Sequence, residues 1–194
     1  MTSSDLTLLP SGAKERTAAR VGTSLDGASG GSTSSVGVRI GIACAEFNGG
    51  ITDRMLTGAL DELERAGSDL GAVVVSWAPG AFELPLIARG LAASGRVDAV
   101  VALGAVIRGD TGHYDFVAGE CASGLQRVQL DTGLPVVFGV LTTDTVEQAL
   151  VRSLPDGSNK GAEAARTALE TTALLRGIED LPGAHRVGFT VGGR

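Results

Sequence analysis

Residues 99–107 read AVVALGAVI, nine consecutive residues without a charged or hydroxyl-bearing side chain. A strand that alternates apolar and polar residues keeps one face in water. An unbroken apolar run is instead covered on both faces, as in the parallel sheets of α/β proteins. The chain then turns polar at once, through Arg108, Gly109, Asp110, Thr111, Gly112 and His113. Open α/β sheets bind ligands outside the carboxyl ends of their strands. The stretch 99–117 therefore predicts a buried strand that delivers its chemistry at one end of the sheet. Gly109 and Gly112 allow close backbone approach to a ligand, Thr111 offers a hydroxyl, and His113 exchanges a proton near neutral pH.

Three further apolar runs behave in the same way: VRIGIAC at 38–44, GAVVVSWA at 71–78 and PVVFGVLTT at 135–143. Helical spacing follows each strand. Ile51, Met55, Leu56, Ala59, Leu60 and Leu63 recur along 50–67, with Gly67 as the stop. In 81–95, Pro85 falls in the first turn, where proline is tolerated, and Glu83 favours the helix dipole. Phe116, Val117, Cys121, Leu125 and Val128 predict the inward face of a helix over 113–133. Asp144 or Thr145 caps 146–153, and an Ala/Leu-rich helix spans 162–180. Strands alternating with helices predict an α/β, flavodoxin-like three-layer sandwich, with a four-stranded parallel sheet covered by helices on both faces.

The domain so defined is 38–178. Residues 1–37, dominated by Ser, Gly, Thr and Ala, read as a flexible N-terminal tail, in which LTLLP and AKERTAARVG are the segments able to dock. Residues 179–194 read as a loose C-terminal tail. A net charge of −6 argues against a nucleic-acid surface and points to small molecules or protein partners. Cys44 and Cys121 lack the spacing of a zinc site or a disulfide framework, which fits a reducing cytoplasm. No membrane span and no secretory leader is expected.

The loop GDTGH has the makings of an anion site at a helix N-terminus, although an ordinary strand-to-helix turn uses the same residues. It is neither a phosphate-loop nor a dinucleotide fingerprint. Phe47 and Phe82, each just after a strand, sit at the same end of the sheet as His113 and are placed to stack on a planar ring. Arg152 and Lys160 flank the loop before the last long helix and are candidate cations, or equally solvated side chains. His113 is a candidate proton-transfer residue rather than a metal ligand, because no histidine or cysteine cluster lies at ligand spacing.

Taken together, FN at 47–48, PGAFELP at 79–85, GAVIRGDTGHYDFV at 104–117, GVLTTDTVEQAL at 139–150 and NKG at 159–161 resemble the 6,7-dimethyl-8-ribityllumazine synthase family. Five blocks in order are far more specific than one motif. The resemblance implies the penultimate step of riboflavin biosynthesis: 5-amino-6-(D-ribitylamino)uracil condenses with 3,4-dihydroxy-2-butanone 4-phosphate, losing phosphate and water. It implies no metal and no organic cofactor. By position, Phe47 is similar to the residue that stacks on the pyrimidine. Ala81, Phe82 and Glu83 line the site toward the ribityl chain, and the backbone of Ala105, Val106 and Ile107 reads the uracil edge. Asp110, Thr111, Arg152 and Lys160 are similar to the phosphate ligands, and His113 to the proton-transfer residue. Phe138 and Arg152 would come from an adjacent subunit of a homopentamer, which in many members builds a sixty-chain shell. Riboflavin synthase is a further implied partner. The chain departs from the family in carrying Glu46 where arginine is frequent, and in its longer tails.

Two other readings are weighed against the enzyme. One is an inactive, shell-forming scaffold of the same fold, against which Phe47, Glu83, Thr111, His113 and Arg152 speak. The other is a flavin-nucleotide-binding module, against which Asp110 and the lack of a nucleotide fingerprint speak.

Overall fold

The computed structural model describes residues 6–25 and 37–181; the expectations for 1–5, 26–36 and 182–194 lie outside the described residues. Helix α1 (Ala13–Arg20) and strand β1 (Thr23–Leu25) come first. They are followed by β2 (Ile40–Ala45), α2 (Gly49–Arg65), β3 (Val74–Ala78), α3 (Leu84–Ala93), β4 (Ala99–Ile107) and α4 (His113–Thr132). β5 (Val136–Thr143), α5 (Val146–Val151) and α6 (Lys160–Glu179) complete the chain. The sheet runs β1-β3-β2-β4-β5 and every pair is parallel.

The four expected strands are present and form a flavodoxin-like α/β sandwich. Strand β4 is buried along its length apart from Ile107, as its unbroken apolar run requires. Ile40, Ile42, Cys44, Val75, Val101 and Leu103 point to one face, beneath Ile51, Met55, Leu60 and Leu63 of α2 and Ala164, Ala165 and Ala168 of α6. Ala43, Val74, Ala78, Val100, Ala102 and Val106 point to the other, beneath Leu84, Ala88 and Leu91 of α3 and Cys121, Leu125 and Val128 of α4. The period-2 alternation of a strand thus fills two cores at once.

Two expectations need correction. Residues 1–37 are not a tail throughout: β1 adds a fifth strand, in register from Thr23 against Val74 to Leu25 against Ser76. Leu6, Ala13, Thr17 and Val21 are buried with it. The apolar residues of this short segment suffice to cover the outer edge of β3 even though the segment's neighbours are low in complexity. Phe116, read as core, is instead 71% exposed, because the first turn of α4 projects past the end of the sheet.

The segment NKG proves to be a packing joint. Asn159 is buried, its Oδ1 accepts from the Gly161 and Ala162 N–H groups at 2.9 and 3.1 Å, and its Nδ2 donates to the carbonyls of Ser153 and Arg54 at 3.1 and 3.3 Å. A side chain at Gly161 would put its Cβ 1.9 Å from the Met55 carbonyl oxygen, so only glycine lets α6 start against α2. Farther along the same helix pair, Glu62 of α2 is 7% exposed and accepts from Arg65 at 2.6 and 2.8 Å and from Arg166 of α6 at 2.8 Å.

Those two guanidinium groups, Arg65 first and then Arg166, hold the Glu62 carboxyl down at about 2 against an ordinary 4.5. A carboxyl lowered on folding stabilises the fold above its unfolded value, and that contribution fades as pH falls through the folded value. Denaturant titrations of the native chain and Glu62→Gln are therefore expected to differ by about 1–2 kcal/mol at pH 7, given solvent-screened arginines, with the gap closing between pH ~4.5 and ~2. A gap independent of pH would contradict this account of the α2–α6 joint.

Candidate active site

The chain leaves β2 toward β3 on one side and returns to β4 on the other. The strand order therefore reverses between β2 and β4, and that switch point is where open α/β sheets leave a crevice. A cleft of about 680 Å3 opens there. Three strand ends supply its walls: Phe47 and Asn48 follow β2, Pro79 to Glu83 follow β3, and Ala105, Val106, Ile107, Gly109, Thr111 and His113 come from β4 and its loop. Tyr114, Phe116 and Val117 of the first turn of α4 close the remaining side.

A side-chain hydrogen bond spans the switch point. Asn48 takes left-handed backbone angles, φ 57° and ψ 37°, and although it stands at the N-cap of α2 its side chain does not cap the helix. Its Nδ2 instead donates to the Ala105 carbonyl at 2.8 Å, tying the end of β2 to the end of β4. Backbone bonds from Glu46 N–H to the Ala78 carbonyl (2.8 Å) and from Phe47 N–H to the Pro79 carbonyl (3.1 Å) tie the same corner to β3. Phe47 is thus held at its backbone on both sides while its ring stays exposed in the cleft.

The β3 wall is a 3-10 turn, Ala81–Glu83, that leads directly into α3 with Pro85 in the first turn. Ala81 is buried, Phe82 is exposed and Glu83 is half-buried. The Glu83 carboxylate lies back over Gly80, where an added Cβ would sit 3.2 Å from its Oε2.

The β4 loop is fixed by Arg108. Its N–H donates to the Thr143 carbonyl at 2.9 Å, its guanidinium donates to Asp144 at 3.0 Å and Asp115 at 3.3 Å, and it lies 4.0 Å from the Tyr114 ring centroid. Asp144 and then Asp115 push its pKa further up, so the charge is committed to the loop's shape. Beyond it, the Thr111 Oγ1 accepts from the His113 N–H at 3.4 Å, and Gly112 stands at the N-cap of α4 without a side-chain cap. The positive end of a 20-residue helix therefore faces the mouth of the cleft beside Thr111 and His113. Neither thiol contributes: burial pushes Cys121 up to about 11 and drives Cys44 higher still, which leaves both inert.

The structure gathers nine of the residues expected from sequence into this cleft: Phe47, Ala81, Phe82, Glu83, Ala105, Val106, Ile107, Thr111 and His113. Asp110 sits on the adjoining bend without lining it. Phe138, Arg152 and Lys160 lie elsewhere, together, in a cavity of about 400 Å3 between the edge strand β5 and α6. There the Arg152 Nη1 donates to the Gln148 carbonyl at 2.9 Å, and Lys160 pairs with Glu163. Asn48, Tyr114 and Phe116 were not anticipated in the wall. The motif FN at 47–48, directly after a strand, was the one signal able to disclose Asn48.

Fold and cleft define an open α/β protein with a crevice at its topological switch point. A family model described as 6,7-dimethyl-8-ribityllumazine synthase matches residues 37–176. The 6,7-dimethyl-8-ribityllumazine synthase of Edwardsiella ictaluri (strain 93-146) is 58% identical over 143 residues, which cover 73% of this chain and 91% of that protein. The chain belongs to the 6,7-dimethyl-8-ribityllumazine synthase family, a family of transferases in riboflavin biosynthesis. Among the described residues no helix is long and apolar enough to cross a membrane.

The left-handed corner at Asn48 makes a prediction about stability. Asn48→Gly keeps the backbone angles and loses one hydrogen bond, costing about 1 kcal/mol, whereas Asn48→Ala adds left-handed strain of about 1 kcal/mol more. Denaturant titration of both variants checks the order; equal losses would mean that the corner does not depend on its backbone angles.

Proposed function

We propose that the cleft condenses 5-amino-6-(D-ribitylamino)uracil with 3,4-dihydroxy-2-butanone 4-phosphate to give the lumazine, phosphate and water. The observation that carries this reading is the convergence, at one switch point, of an exposed aromatic ring, a row of backbone atoms at a strand end, and a helix N-terminus beside a hydroxyl and an imidazole. In this reading the Phe47 ring stacks on the pyrimidine, and the edge of the pyrimidine is read by the backbone of Ala105, Val106 and Ile107 where β4 runs beyond its ladder with β2. Ala81, Phe82 and Glu83 receive the ribityl chain, with the Glu83 carboxylate accepting from its hydroxyls.

Thr111 and the positive end of α4, reached through the backbone of Asp110, hold the phosphate. The uracil amine attacks the ketone, water leaves to give an imine, phosphate is eliminated, and ring closure by the ribitylamino nitrogen releases a second water. His113, exposed at the mouth, moves the protons these steps require. Holding both substrates in one cleft lowers the entropic part of the barrier.

A second copy completes the site. Arg152, Lys160 and Phe138 line their own cavity at the outer edge of the sheet, and Phe138 is 41% exposed there. This separation supports a homopentamer in which one subunit's β5 edge supplies Phe138 and Arg152 to the cleft of its neighbour, with Lys160 assisting the phosphate. Assembly of pentamers into a sixty-chain shell, association with riboflavin synthase and a cytoplasmic location belong to the same proposal; the two unpaired, buried cysteines suit that compartment.

The test is turnover of the purified full chain with both substrates, followed by lumazine absorbance and phosphate release. His113→Ala is expected to lower kcat by about 100-fold. Unchanged turnover in that variant would remove His113 from the mechanism, and no turnover in the native chain would refute the reaction.

A further inference from the structure

The N-terminal segment docks on the β2–α2 unit, whose connecting corner carries Phe47. On α1, Lys14 pairs with Glu46 at 2.9 Å, Arg16 with Asp53 at 3.1 Å, and Arg20 with Asp61 and Glu64 at 2.8 and 3.3 Å. Three cations on one short helix thus meet four carboxylates on the β2–α2 unit. The approach is close as well as charged: a Cβ on Gly49, the first residue of α2, would lie 2.3 Å from the Leu9 Cα. Lys14 also stands 5.9 Å from the ring centroid of Trp77, the chain's single tryptophan, which is 7% exposed on β3.

Glu46 is the residue immediately before Phe47 and Asn48, so the ion pair with Lys14 attaches to the corner itself. The corner 46–48 then has three attachments: backbone bonds to β3, the Asn48 bond to β4, and the Glu46 carboxylate to α1.

We propose that Lys14 is a positioning residue: by holding Glu46 it fixes the corner that carries Phe47, so that docking of the N-terminal helix sets affinity for the substrate that stacks on that ring. The inference rests on the proposed role of Phe47. It assigns residues 6–25 a part in the site, although none of them lines the cleft.

Charge reversal tests it in the full-length chain, with Lys14→Glu, Glu46→Lys and the double variant. Two readouts are taken: acrylamide quenching of Trp77, which needs no substrate, and steady-state kinetics with the pyrimidine substrate. Partly exposed ion pairs are worth up to roughly 1 kcal/mol, which converts to about fivefold. Each single variant is expected to raise KM for the pyrimidine about fivefold, leave kcat within about twofold and increase quenching of Trp77, because α1 no longer docks beside the buried ring. The double variant is expected to restore both readouts.

Single variants that leave KM unchanged overturn the proposal, as does a KM rise that the double variant does not reverse. Quenching that rises while KM stays fixed also overturns it, since the helix would then dock without setting the corner. A native chain that shows no turnover refutes the proposed reaction instead. The quenching cycle still decides in that case: no change on charge reversal overturns the role of Lys14, and a rise reversed in the double variant supports it.

Discussion

A parallel strand buried on both faces can offer polar atoms only where its hydrogen-bond ladder stops. In β4 that constraint is nearly absolute, since eight of nine residues are buried and the ninth, Ile107, is half-buried. Its ladder with β2 stops at Leu103 while that with β5 runs on to Ile107, so the end of β4 stands clear on the β2 side and its polar loop emerges beside the ends of β2 and β3. The reversal of strand order between β2 and β4 parts the crossovers there and leaves the cleft. The Asn48–Ala105 bond then keeps the two strand ends in register across the gap, where no further ladder pairing is available.

Charge is used to hold shape before it is used for chemistry. Arg108 is committed to Asp115 and Asp144, Arg65 and Arg166 to Glu62, and Arg39 to Asp98 at 2.7 Å. Arg152 differs: its guanidinium meets a carbonyl, Gln148, and it remains exposed beside Phe138 at the sheet edge. A cation not committed to a carboxylate, next to an uncovered aromatic ring, is what a site assembled between two copies needs on its second surface.

The cleft was largely legible in the sequence because strand ends are legible. Phe47, Ala81 to Glu83, Ala105 to Ile107, Thr111 and His113 each sit at or just beyond the carboxyl end of an apolar run, so topology alone brings them together. Phe116 was misread because its spacing with Cys121, Leu125 and Val128 is helical and apolar. Periodicity does not show that the first turn of α4 overshoots the sheet. The segment 6–25 was hidden by averaging: a few apolar residues and three paired bases lie within a Ser/Gly-rich stretch, and their partners are 32 to 44 residues away in sequence. NKG was read through the resemblance as a phosphate helper. Its capping and packing role depends on how closely α6 approaches Met55, which no spacing rule discloses. Arg152 and Lys160 stood out locally only as candidate cations, and Phe138 gained a role only through the resemblance, since nothing local links any of them to the β4 loop.

The central claim is that one chain's cleft is finished by its neighbour's β5 edge. Subunit mixing tests this most directly. Chains carrying His113→Ala and chains carrying Arg152→Ala, each expected to be severely impaired alone, are dissociated, combined in equal amounts and reassembled. If the site is shared, random mixing in a ring places an intact histidine beside an intact arginine at about a quarter of the interfaces, and turnover recovers to about that fraction of the native rate. Mixed assemblies as inactive as either parent would contradict the account.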